Sequence, residues 1–201
     1  MNRAHICLLA MVLTFPLSAV SADLEALKKE CDSCHGPQGA STDNDVPIIG
    51  GQPSKYIADS LALYQDWGRP CIKSAYRHGD TSRPVTTMCK VSVDLGFDEM
   101  ETLGNYYAEQ EFVAAKQDFD QAKASTGATL HEKHCVSCHP GSGNVAGRGP
   151  ILAGQWASYL KTQISQALTG EHLVPPLMER QFIGFSVEDI DALINFYASQ
   201  Q

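Results

Sequence analysis

Two five-residue segments constrain this chain more than anything else in it: Cys31-Asp32-Ser33-Cys34-His35 and Cys135-Val136-Ser137-Cys138-His139. Each sets two thiols three positions apart and puts a histidine directly after the second. At that spacing two thioether bonds can capture the edge of a porphyrin while the next residue reaches its iron, the attachment signature of a c-type haem. A C-x-x-C pair alone has other uses, as a zinc knuckle or a thioredoxin-like redox pair. Here the histidine follows in both copies, and no further C-x-x-C pair exists to complete a four-cysteine zinc site. The expected cofactors are therefore two haem c. Cys31, Cys34, Cys135 and Cys138 would attach them, and His35 and His139 would be the proximal iron ligands.

The 201 residues suffice for two small domains, one per motif. The start of the chain reads as something else. Arg3 precedes a mostly apolar run, Ile6 to Val20, and small residues follow at Ser21-Ala22. This is the pattern of a secretory signal peptide, residues 1–22, cut after Ala22 and taking Cys7 with it. The rival reading, a permanent membrane anchor, is disfavoured because the run is short. Export to the periplasm suits haem attachment, and an oxidising compartment permits a disulfide between the two remaining cysteines, Cys71 and Cys89. Without Arg3 the chain holds 14 basic and 23 acidic residues, a net −9. With no basic stripe, nucleic acid is not an expected partner. An acidic surface could steer a basic redox partner or serve solubility alone.

Helices are expected over Asp23 to Cys34, Ser54 to Trp67, Phe97 to Gln110, Gln155 to Leu168 and Ser186 to Ser199, the last opened by a capping box of Ser186 and Asp189. Residues 36–51, 68–84 and 141–149 are rich in turn formers and read as loops. The order repeats. Pro47-Ile48-Ile49-Gly50-Gly51-Gln52 matches Pro150-Ile151-Leu152-Ala153-Gly154-Gln155 at an offset of 103, and Asn105-Tyr106-Tyr107-Ala108 matches Asn195-Phe196-Tyr197-Ala198 at an offset of 90. The chain is a duplication whose first copy carries about 13 extra residues, placed most naturally within the polar stretch 68–83. Domain 1 is expected at 23–110, a partly helical linker at 111–126 and domain 2 at 127–201.

A haem iron that carries electrons without binding substrate needs a sixth ligand, and methionine is common in cytochromes c. After His139 the chain has one methionine, Met178. The first half offers Met88 and Met100, and the offset of 90 pairs Met88 with Met178 but Met100 with Ile190. Met88 and Met178 are the expected axial ligands, both in proline-marked loops, and Met100 is expected in the core. Cys89 directly follows Met88. A Cys71–Cys89 disulfide would staple the inserted stretch to the ligand loop; the alternative is a thiolate from either cysteine on the first iron. His78, His131, His134 and His172 read as solvated surface side chains, His172 also as an alternative ligand for the second iron. Arg148, Arg180, Gln52, Gln155, Trp156 and the tyrosines are candidate hydrogen-bond donors to the haem carboxylates.

With these residues in view the tandem motifs resemble the dihaem cytochromes c built from two class I cytochrome domains. Some stretches are similar to the cytochrome subunit of flavocytochrome c sulfide dehydrogenase: Ala115-Lys116-Gln117-Asp118-Phe119-Asp120, Gly127 with Leu130-His131, Ile151-Leu152-Ala153-Gly154-Gln155-Trp156, and Phe196-Tyr197-Ala198-Ser199-Gln200-Gln201. The resemblance implies an all-α fold of two class I cytochrome c domains, each wrapping one haem. It implies a periplasmic electron-transfer subunit that is not an enzyme by itself. In a heterodimer it would take electrons from an FAD-containing flavoprotein during sulfide oxidation and pass them to a soluble acceptor, with no membrane insertion after signal cleavage. The axial pairs implied are His35 with Met88 and His139 with Met178. The Cys71/Cys89 insertion departs from the pattern. Two rival functions stand beside this one: a freestanding dihaem electron shuttle, and a catalytic dihaem enzyme acting on peroxide or thiosulfate, which would need an open, displaceable or thiolate sixth site.

Overall fold

The computed structural model describes residues 18–201, with side chains from Leu24 onward. Cys7 and nearly all of the expected leader lie outside the described residues, and Ser18 to Ala22 run on into the first helix. In order, the elements are α1 (Ser18–His35), a single 3-10 turn (Pro37–Gly39), α2 (Ser54–Gln65), β1 (Lys73–Ser74), β2 (Thr86–Thr87), α3 (Met88–Ser92), α4 (Phe97–Ala108), α5 (Gln121–His134), α6 (Ala157–Leu168), α7 (Pro176–Gln181) and α8 (Val187–Ala198). Among the described residues no helix is long and apolar enough to cross a membrane.

Each half builds its own core. In the first, α2 and α4 bring together Ile57, Leu61, Met100, Leu103 and Tyr107. In the second, α6 and α8 bring together Leu160, Ile164, Leu193, Ile194, Phe196 and Tyr197. A fully buried leucine such as Leu103 or Leu193 contributes roughly 1.5–3 kcal/mol by leaving water. α5 crosses α8 at Gly127, where a Cβ would sit 2.1 Å from the Ala192 carbonyl oxygen, so only glycine lets the two helices approach this closely.

Helix starts follow local chemistry. Ser186 Oγ accepts from the Asp189 N–H (3.1 Å) and the Asp189 carboxylate accepts from the Ser186 N–H (2.9 Å), the expected capping box. Asp120 caps α5 by accepting from the N–H groups of Ala122 and Lys123. α5 therefore begins at Gln121, inside the stretch expected as linker. The extended part before it is tied to the second half, with the Ala115 N–H donating to Gly154 O and Gln117 bonding Gln155 O and the Ala157 N–H.

The duplication is visible in the backbone. Gly51 N–H donates to Tyr107 O and Gly154 N–H to Tyr197 O, both at 2.8 Å; Ile49 N–H donates to Gly39 O and Leu152 N–H to Gly143 O, both at 2.9 Å. The inserted stretch, expected as loop, breaks the symmetry of an otherwise helical fold. It supplies β1, which pairs antiparallel with β2 just before α3, Lys73 opposite Thr87 and Ser74 opposite Thr86, and it lies across the end of α1, where Arg77 and His78 N–H groups donate to Ser33 O.

Candidate functional site

The two motifs end helices differently. α1 runs through Cys31, Cys34 and His35. α5 stops at His134, and Cys135 to His139 continue as turns, with the His139 N–H bonded to Cys135 O. All four cysteines are partly exposed and unpaired. Burial pushes the Cys31 thiol up to about 12 and raises Cys34 and Cys135. Thiols held neutral in this way are the opposite of the acidic pair that a thioredoxin-like centre needs.

His35 and His139 are buried. His35 Nδ1 lies 2.9 Å from Pro47 O, and His139 Nδ1 lies 2.8 Å from Pro150 O. A carbonyl oxygen can only accept, so each Nδ1 carries the proton and each Nε2 keeps its lone pair for a metal. Burial also lowers the pKa of both rings, against the bond to the proline carbonyl, which keeps them neutral as ligation requires. A Cβ on Gly149 would lie 2.3 Å from the His139 ring, so a bare backbone there is what lets the ring take this place.

Met88 begins α3 and packs, with Cys31, against the first core cluster. Met178 lies half-buried on the short helix α7, so both methionines sit on short helices rather than in the loops expected. Met100 is buried in the first core. Cys71 and Cys89 are joined by a disulfide that ties the inserted stretch to the residue after Met88; while it stands, neither sulfur is a thiolate.

Two groups of residues carry roles other than those expected. Gln52 and Gln155 are not free to hold haem carboxylates, because their side chains are spent across the contact between the halves. Gln52 Nε2 donates to Ile151 O (3.0 Å) and its Oε1 accepts from the Ile151 N–H (2.8 Å). Gln155 Nε2 donates to Ile48 O (2.9 Å) and its Oε1 accepts from the Ile48 N–H (3.0 Å). Trp156 Nε1 is similarly engaged with Ser41 O, and Arg148 and Arg180 are exposed. His131 is not solvated: it is fully buried, with Nε2 on Gly141 O (2.8 Å) and Nδ1 on the Tyr197 hydroxyl (3.0 Å). The carbonyl fixes the proton on Nε2, so Tyr197 donates to Nδ1. At the matching place in the first half Tyr107 donates instead to Asp32.

Sequence reasoning missed Arg69. It lies in the inserted stretch, only 3 % exposed, over the Tyr64 ring, and donates to the Tyr159 hydroxyl (3.0 Å) and to Gln163 Oε1 in the second half. Its Nε has no partner, and among the described residues no carboxylate pairs with it. A buried cation without an anion is costly. Haem brings carboxylates, and this vacant donor at the contact between the halves fits them. With the thiol pairs and the oriented, neutral histidines, the residues present fit two haems. The only signal available in sequence was one arginine amid the irregular stretch.

The family model described as "Cytochrome C oxidase, cbb3-type, subunit III" matches residues 122–196. Cytochrome c4 of Azotobacter vinelandii is 27% identical over 186 residues, covering 85% of this chain and 84% of that protein. A thiosulfate dehydrogenase electron acceptor of Thiomonas intermedia is 28% identical over 174 residues, covering 84% and 75%. The crystal structure of reduced recombinant cytochrome c4 from Pseudomonas stutzeri superposes with a TM-score of 0.69 at 23% identity, over 89% of this chain and 99% of that one. The chain is thus similar to the dihaem class I cytochromes c of the cytochrome c4 kind.

The fold is that of two tandem cytochrome c domains, and the residues present fit one haem c in each. Of the functions expected from sequence, the carrier is the one these relatives share. None of the named relatives is a sulfide dehydrogenase subunit, so that finer identity is not carried by them.

Proposed function

We propose that this cytochrome is a freestanding periplasmic electron shuttle with domains at 23–110 and 127–201, its haems attached at Cys31/Cys34 and Cys135/Cys138 and ligated by His35 with Met88 and His139 with Met178. Bound haem iron supplies reversible one-electron exchange. The chain's part is to hold each proximal imidazole neutral with Nε2 presented, to exclude water around it, and to lock the two domains together. The observation that carries the reading is the pair of Nδ1–proline carbonyl bonds, repeated in both halves, which orients both histidines alike. Arg69 would offset haem carboxylate charge between the domains.

The electron donor is a dehydrogenase of reduced sulfur compounds. Two kinds fit: the FAD-containing sulfide dehydrogenase subunit implied by the linker and C-terminal resemblance, and a thiosulfate dehydrogenase, by analogy with the Thiomonas relative. Stopped-flow reduction of the ferric protein by each enzyme with its substrate tests this. Rapid two-electron reduction by one of them without stable association supports a shuttle. Isolation as a stoichiometric heterodimer with a flavoprotein would instead make the chain a subunit. Failure of both enzymes to reduce it would overturn a sulfur-compound donor.

A further inference from the structure

One peptide group in each half touches both a proximal histidine and the opposite half. The Pro47–Ile48 peptide accepts from His35 Nδ1 through its carbonyl (2.9 Å) and donates through its N–H to Gln155 Oε1 (3.0 Å). The Pro150–Ile151 peptide accepts from His139 Nδ1 (2.8 Å) and donates to Gln52 Oε1 (2.8 Å). Hydrogen bonds in series polarise one another: a peptide whose N–H is engaged has a more negative carbonyl oxygen. That oxygen draws harder on the Nδ1 proton and makes the imidazole a more basic ligand. A more basic ligand favours ferric over ferrous iron. Water cannot substitute, because Ile48, Gln52, Ile151 and Gln155 are all buried. The orientation of each amide is fixed as well, since its Nε2 donates to the carbonyl of the same isoleucine.

We infer that Gln52 and Gln155 are crossed positioning residues: Gln155 sets the ligand strength of His35 in the first domain, and Gln52 that of His139 in the second. The inference rests on the proposed ligation of iron by His35 and His139. It also carries an asymmetry. Gln155 Oε1 accepts a second bond from the Trp156 N–H (3.1 Å). The matching residue after Gln52 is Pro53, which has no N–H to offer. Gln52 therefore gives its acceptor wholly to the Ile151 N–H, and its effect on the opposite haem is the larger.

The test uses the holoprotein and the variants Gln52→Met and Gln155→Met. The haem and proximal-histidine NMR resonances of each domain are followed through a redox titration. Gln155→Met should raise the potential of the haem at Cys31/Cys34 and leave the other unchanged. Gln52→Met should raise that of the haem at Cys135/Cys138, by more. Gln52→Asn and Gln155→Asn, which withdraw the amide without adding apolar bulk, cover the case in which the methionine variants do not load haem. No shift, equal shifts at both haems, or a shift confined to the variant's own domain overturns the inference and leaves the electron-carrier reading standing. Haem resonances that do not couple to the rings of His35 and His139 overturn the ligand assignment, and the inference with it.

Discussion

Gln52 and Gln155 stand 103 positions apart, and each hydrogen-bonds both backbone groups of the isoleucine four residues before the other. The four bonds repeat one geometry on both sides of the contact, as a duplicated domain packed on itself through a pseudo-twofold relation should. Gln52→Ala leaves the buried Ile151 N–H and C=O without partners. At about 1–3 kcal/mol for each buried group left unpaired, the expected loss is roughly 2–6 kcal/mol. The midpoint of denaturant unfolding measures it. The double variant with Gln155→Ala should cost less than the two single losses combined, because both act on one contact.

The disulfide closes a loop whose cysteines are 18 residues apart. Loop-closure entropy puts its contribution at about 3 kcal/mol. Replacing both cysteines, Cys71→Ala with Cys89→Ala, should lower stability by about that amount. It should also loosen α3, so that an added external ligand displaces Met88 more readily than Met178. Azide or imidazole titration of the ferric protein reads this difference.

His131 is a buried core side chain with two hydrogen bonds. At the equivalent place, four residues before the first motif cysteine, stands Leu27. His131→Leu copies the first domain's residue but strands the Tyr197 hydroxyl and Gly141 O. The expected loss is roughly 2–4 kcal/mol, measured by thermal unfolding. A neutral result would mean that Tyr197 finds another acceptor.

His172 is pushed down to about 4 by burial and by the neighbouring Arg69 guanidinium, against a backbone bond at Gln163. The folded pKa is thus below the unfolded value near 6.5, and between the two the unfolded chain binds more protons. Stability from this group is complete above about pH 6.5 and is lost as pH falls toward about 4. The group is partly solvated, so the loss is discounted to about 1–2 kcal/mol. His172→Gln should flatten the stability profile between these limits.

The haem motifs and the terminal helix with its Ser186 cap were legible because each depends on residues within a few positions of one another, and the duplication because short segments recur at constant offsets of 103 and 90. The internal offsets even paired Gln52 with Gln155. Their use was not legible. A buried glutamine serves a cofactor or a facing backbone equally well, and only the packing of the domains decides. His131 looked solvated because charged neighbours, Glu132 and Lys133, hide the one helix face that Tyr197 and Phe196 cover. Arg69 and the first strand of the small β ladder belong to the inserted stretch, which has no internal counterpart to align with and no periodicity to read.

The optical spectrum of the ferric holoprotein tests the central claim most directly. Methionine–iron ligation gives a weak far-red band. Two histidine–methionine irons should give that band at full intensity for two haems, with about half removed by Met88→Ala and about half by Met178→Ala. A wild-type band of half intensity, or one that survives either substitution, would contradict two histidine–methionine irons.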